Sequence, residues 1–122
     1  MSVLSKQIQE LDLTSVMARL QRETALSAEV LAEAETQYRQ FLQLCLDDTG
    51  SVPTEAADKV WHYHILDTHK YAADCNAVFG EFMHHNPHDE MTQAIEKSAQ
   101  KTRKAWAKKF GDVKGASAMC GR

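Results

Sequence analysis

The fold is decided by residues 54–79, which read TEAADKVWHYHILDTHKYAADCNAVF. Thr54 is a good N-cap residue, and the residues after it are strong helix formers. We expect one helix over 55–66, a second cap at Asp67 and another helix over 68–79. Two adjoining helices of this kind indicate an all-α protein.

The sequence on either side continues the helical pattern. Apolar residues recur at helical spacing over 4–20, where a polar break at 12–14 can divide the segment into two short helices. A second pattern covers 28–46, and a third runs from about 88 to 110, ended by Gly111. Because there are only two prolines and five glycines and no strand-like alternation, we predict a single compact bundle of five or six helices.

A length of 122 residues is enough for one domain and too short for two ordinary ones. We therefore assign residues 1–111 to a single all-helical domain, with a histidine and cysteine motif at 53–87. Residues 112–122 contain small side chains and two glycines, so we expect a flexible tail there.

Composition limits the classes of function. A hydrophobic fraction of 43% and a charged fraction of 25% are typical of soluble globular proteins. The first thirty residues carry charges throughout, and no apolar run reaches membrane-spanning length, so neither a secretory signal nor a transmembrane helix is expected. Three widely spaced cysteines form a poor disulfide framework and fit a reducing compartment. We therefore expect a cytoplasmic protein that binds no membrane.

All six histidines fall between His62 and His88. Imidazole is the commonest protein metal ligand and the side chain that titrates near neutral pH. On a regular helix His64 faces the expected core beside Trp61, whereas His62 lies on a stripe with Asp58, one turn earlier. A carboxylate placed one turn away can orient an imidazole that binds a metal ion.

Four short motifs stand in order between Pro53 and Pro87: Trp-His-x-His-Ile-Leu-Asp-Thr from residue 61, Tyr-x-x-Asp-Cys from 71, Phe-Gly-x-Phe from 79 and His-His-x-Pro from 84. In these motifs the chain resembles the glycine-rich domain-containing protein-like family, as a short bacterial stand-alone member. The long glycine-rich region of the plant members is missing here, so roles attached to that region do not carry over.

The resemblance implies a helical fold and a set of recurring polar positions. By that resemblance, the positions fall on Asp58, His62, Cys75 and His85 in this sequence. His64 matches only part of the family, in which an aromatic residue can stand instead. The family supplies candidate residues and no established reaction.

The leading hypothesis is a small metal-binding protein of unestablished activity. We expect ligands from His62, Cys75 and His85, with Asp58 as an orienting carboxylate. The second choices are His64, His84 and Cys120. Mixed imidazole and thiolate donors suit zinc first, and iron or copper after it. Ten helical residues rise roughly 15 Å, so the chain must bend near Gly80 or 86–87 to bring Cys75 and His85 to one ion.

Other functions fit the same residues. The histidines and Trp61 can form the hydrogen-bonded core of a non-enzymatic protein-interaction module. A metal with an open coordination position would make the chain a metal-dependent hydrolase or oxidoreductase, and His62 with Asp58 would suit a metal-free acid–base enzyme. We expect an unknown protein or small molecule as the partner. The overall acidity argues against nucleic acid, although a lysine-rich face of the last helix, with Trp106 as a stacking ring, is the feature that would favour it.

Overall fold

The computed structural model describes residues 3–48, 51–85 and 93–111. These described residues contain six α-helices and no β-strand. They are α1 (Lys6–Gln9), α2 (Thr14–Thr24), α3 (Ala28–Asp47), α4 (Glu55–Leu66), α5 (Thr68–Phe79) and α6 (Gln93–Phe110). The predicted all-α class is confirmed.

Local signals set the boundaries of α4 and α5 where the sequence predicts them. The Thr54 hydroxyl accepts the N–H of Ala57 at 3.0 Å, and the Asp67 carboxylate accepts that of Lys70 at 3.4 Å. Gly80 ends α5 with a φ of 76°, in the left-handed region. Asp67 is both the C-cap of α4 and the N-cap of α5, so the two helices adjoin directly.

The predicted break at 12–14 is also present, since α1 ends before it and α2 begins at Thr14. Arg39 of α3 holds this connection by donating to the carbonyl oxygens of Ile8 at 2.7 Å and Leu11 at 3.0 Å. Glu35 pairs with the same guanidinium at 2.8 Å. The expected start of the last helix near residue 88 and the tail 112–122 lie outside the described residues.

α3 is the central helix and packs against α1, α2, α4 and α6. Its largest buried side chains are Tyr38 and Phe41, each 0% exposed. Cys45 is 5% exposed in the same core, as its place in the apolar stripe predicts. In the part of the chain that is described, no helix is long and apolar enough to cross a bilayer. The division into a 1–111 domain and a tail stays a prediction.

α6 packs on α3 through one buried aromatic ring, and two ion pairs connect it to Asp47 and Asp48 at the C-terminal end of α3. Trp106 is 1% exposed, and its indole N–H donates to the Gln40 side chain at 3.1 Å. Lys101 pairs with Asp48, and Lys109 pairs with Asp47, each at 2.8 Å. Because Trp106 is buried, its ring cannot stack on a nucleic-acid base.

Candidate functional site

His64 of α4 lies at the centre of a chain of buried polar side chains. Its ring is 2% exposed. The Tyr38 hydroxyl lies 2.6 Å from Nδ1, and the Asp74 carboxylate lies 2.7 Å from Nε2. Lys70 pairs with the same carboxylate at 3.1 Å, at the partly exposed end of the chain. This series of hydrogen bonds therefore connects α3, α4 and α5.

The surroundings of His64 favour the neutral imidazole. Burial lowers the pKa of His64, and the hydrogen bond and charge of Asp74 oppose that change without cancelling it. Burial also raises the pKa of the Tyr38 hydroxyl well above its ordinary value. Nε2–H therefore donates to Asp74, and the Tyr38 hydroxyl donates to Nδ1.

A second buried chain starts at Trp61, one turn before His64. The Trp61 indole N–H donates to the Tyr71 hydroxyl at 2.9 Å. That hydroxyl donates in turn to the backbone carbonyl of Met83. Burial raises the pKa of Tyr71, which keeps its proton available for this bond. The chain thus ends on the segment that follows α5.

The carboxylate of Asp58 reaches the same segment from α4. It lies 2.8 Å from Nε2 of His85, and both side chains are largely buried. The ring of His85 packs on that of Trp61, with 4.0 Å between centroids. Asp58 therefore contacts the imidazole of His85, 27 residues later, rather than that of His62, one turn later.

The predicted metal ligands differ in their exposure and in the side chains that they contact. His62 is exposed and its ring contacts Tyr63, whereas Cys75 is 2% exposed in the core. His84 is exposed with its ring 4.8 Å from Phe82. His64 is committed to Tyr38 and Asp74, and Cys120 lies outside the described residues.

Within the described ranges, no group of three or more His, Cys, Asp or Glu side chains is placed to hold a metal ion. His62, Cys75 and His85 thus do not form a ready-made ligand set there. Binding of zinc, iron or copper stays a prediction.

The buried chain around His64 has no room for a substrate. A cavity of about 10 Å³ is lined by Tyr38, His64, Tyr71, Asp74 and Cys75, among others. A single water molecule needs roughly 10–15 Å³. An external molecule therefore cannot reach His64 for an acid–base reaction in this conformation.

Residues 80–85 form a non-helical segment, to which Tyr71 and Asp58 hydrogen-bond from the core side. Phe82 lies at its outer side, 46% exposed, with its ring 5.2 Å from that of Tyr71. Beside it is a pocket of about 210 Å³, lined by Cys45, Phe79, Glu81, Phe82, Met83 and His84. Burial raises the pKa of the Cys45 thiol, so this thiol is an unreactive part of the wall.

Sequence reasoning missed Tyr38 and Asp74 as partners of His64. Tyr38 fits the apolar stripe of α3 and gives no separate signal of a polar role. The available signal is the rule that a histidine buried in a helix needs partners for both ring nitrogens. Asp74 stands in a predicted motif and satisfies one of them, whereas Tyr38 is 26 residues away and becomes a neighbour only through packing.

Comparison with known proteins gives one match. A family model described as UCP032817-like matches residues 5–112. No curated protein matches the chain, and no solved structure does. The assignment to the glycine-rich domain-containing protein-like family is therefore wrong. Its motifs lie within 53–87 only, whereas the family match extends over all six described helices.

Proposed function

This chain belongs to the UCP032817-like family, and we propose that it is a non-enzymatic protein-interaction module that presents residues 80–85 to a partner. One observation carries the proposal: buried polar groups of the histidine motif bond to the 80–85 segment. The free cysteines Cys45 and Cys75 fit the cytoplasmic location that we propose with it.

The buried polar groups of this network need hydrogen-bond partners. A buried hydroxyl, indole or carboxylate is destabilising unless a partner satisfies it. No buried side-chain polar atom of the described residues lacks a hydrogen bond. A fully satisfied network of this kind fixes one arrangement of the surrounding chain, which is more than an apolar core of the same size would do.

The network holds the 80–85 segment in place through two hydrogen bonds. Tyr71 bonds to the carbonyl of Met83, and Asp58 bonds to the ring of His85. One bond ends on the backbone and the other on a side chain of the 80–85 segment, which follows the end of α5 and is not helical. Loops fixed by a rigid scaffold are frequent sites of binding, because they reach the partner without losing much entropy.

The 80–85 segment presents an aromatic ring to solvent. Phe82 keeps nearly half of its surface exposed, although the core lies directly below it. The adjacent pocket of about 210 Å³ is smaller than the roughly 300–1,000 Å³ of typical small-molecule sites. Its size suits one apolar side chain of a protein partner, packed between Phe82 and Met83. Aromatic anchors of this kind commonly dominate protein–protein interfaces.

Selection of peptides from a phage-displayed random library tests the proposal. We expect the untagged chain to select peptides that share an aromatic or aliphatic anchor. In Phe82→Ala, binding of these peptides falls by about 30-fold or more, as for a residue at the centre of an interface. Val30→Ala is the matched control, because Val30 is 49% exposed on α3 and lies outside this pocket.

Thermal melts of both variants exclude loss of folding as the cause. Peptides that bind Phe82→Ala and the parent chain equally well would refute the proposal. So would a selection that yields no shared anchor.

A second candidate is the metal-binding function, with zinc as the first metal. The pair of Asp58 and His85 favours it, since metal-bound histidines usually donate their other ring N–H to a carboxylate. With Nε2 of His85 engaged, Nδ1 is the nitrogen that would bind the metal. Elemental analysis after zinc loading and desalting measures the stoichiometry. We expect one zinc per chain, lost in His85→Gln and retained in His69→Gln. A metal-free parent chain would rule this candidate out.

A further inference from the structure

A different and larger pocket lies between the C-terminal end of α3 and α6. Its volume is about 390 Å³, within the range of roughly 300–1,000 Å³ that small-molecule sites occupy. Leu44 and Thr102 lie in its wall, with exposures of 3% and 2%. The side chain of Ala105 completes an apolar wall on the α6 side.

The rim of this pocket carries charges that do not balance. Lys101 pairs with Asp48 and Lys109 with Asp47, so two lysines are neutralised by two aspartates. Lys108 also lines the pocket and makes no ion pair among the described residues. Among the residues that the structure describes, the five charged side chains of the rim therefore leave one positive charge beside an apolar wall.

We propose that this pocket binds a small amphipathic monocarboxylate, with its alkyl chain against Leu44 and Ala105 and its carboxylate at Lys108. The apolar wall accounts for the alkyl chain, because burial of each methylene raises affinity by about fourfold. Lys108, the described rim lysine without an ion pair, favours a ligand that carries one negative charge. An alkyl cation would meet the same lysine with repulsion.

Isothermal titration with unbranched carboxylates from hexanoate to dodecanoate, below their micelle concentrations, tests the apolar part. We expect affinity to rise with each methylene, by up to about fourfold, and then to level off when the pocket is full. Decanol and decylammonium have the same chain length and test the charge. We expect decanoate to bind more tightly than decanol, and decanol more tightly than decylammonium.

Two matched pairs of variants locate the site. Lys108→Gln weakens decanoate binding by up to about fivefold, as for an exposed ion pair, whereas Lys104→Gln, outside the pocket on the same helix, leaves it unchanged. Ala105→Leu adds three carbon atoms at the wall against which the alkyl chain is proposed to lie, occupies part of the pocket and weakens binding by at least about fivefold. Ala107→Leu adds the same side chain at an exposed position that does not line the pocket.

Equal binding of decanoate and decylammonium would overturn the proposal. Equal binding of decanoate by Ala105→Leu and Ala107→Leu would overturn it as well, as would no binding by the parent chain. The site is independent of residues 80–85. Phe82→Ala is therefore expected to bind decanoate like the parent chain, whether or not that variant loses its peptides.

Discussion

Replacing Tyr38 with phenylalanine tests the central claim that the histidine motif is a satisfied polar core. The change removes one hydroxyl from a side chain that is 0% exposed. That hydroxyl lies 2.6 Å from Nδ1 of His64, whose ring is 2% exposed. The variant keeps the aromatic ring and its packing, and leaves a buried acceptor without its donor.

The expected loss follows from that unsatisfied acceptor. Removing one partner of a buried hydrogen bond costs about 1–3 kcal/mol of unfolding free energy. The adjacent cavity of about 10 Å³ is enlarged by the missing hydroxyl. A water molecule that enters it and donates to Nδ1 moves the loss toward the lower end of that range, since a site of roughly 10–15 Å³ is enough for one water.

Urea denaturation, followed by far-UV circular dichroism, measures the loss. Tyr63→Phe is the matched control, because its hydroxyl donates to Glu23 at 3.4 Å at an exposed site. We expect this control to change the unfolding free energy by no more than about 0.5 kcal/mol. If Tyr38→Phe loses no more stability than Tyr63→Phe, the hydrogen bond between Tyr38 and His64 does not stabilise the core.

Three further predictions concern single side chains. The pKa of His64 lies below that of an unfolded histidine, so the neutral ring contributes its full stability above about pH 6.5; as the pH is lowered further, the unfolding free energy decreases by up to about 1.4 kcal/mol per pH unit until the folded-state pKa is passed. Urea titrations at several pH values should show this dependence in the parent chain and in His69→Gln but not in His64→Gln. Equal slopes in all three proteins would contradict the prediction. Gly80→Ala should lower the unfolding free energy by about 1–2 kcal/mol, because its φ of 76° disfavours a residue with a Cβ although no atom lies within 4 Å of that position; an unchanged thermal melt argues against this. Thr54→Ala should lower the unfolding free energy by about 2 kcal/mol and Ser27→Ala by about 0.5–1 kcal/mol, because both residues cap a helix but only Thr54 is 0% exposed. The opposite order of the two losses in chemical denaturation would disprove the role of burial.

Local chemistry explains why the helix boundaries were predictable. Thr54, Asp67 and Gly80 act on backbone groups within four residues of themselves, so their effect is readable from the sequence. The periodic apolar residues of α3 similarly indicate a buried face, and Cys45 is on it. The candidate site depended on distant residues and was predicted less well.

His62 and His85 show why the site could not be predicted in the same way. An aspartate one turn before His62 favours a local pair, yet the Asp58 carboxylate lies 2.8 Å from the imidazole of His85. That contact requires the chain to turn back after Gly80, and no short-range rule specifies how far. His62 instead faces solvent, because α4 buries its opposite side against α3.

The residue pattern alone specifies a helical protein, the ends of α4 and α5, and the apolar side of α3. These features follow from capping and from a period of 3.6 residues, both of which act within a few residues. Which polar groups come into contact depends instead on how the helices pack. The contact of His64 with Tyr38 and that of Asp58 with His85 join residues 26 and 27 positions apart, and their energy comes from the exclusion of water when the helices pack.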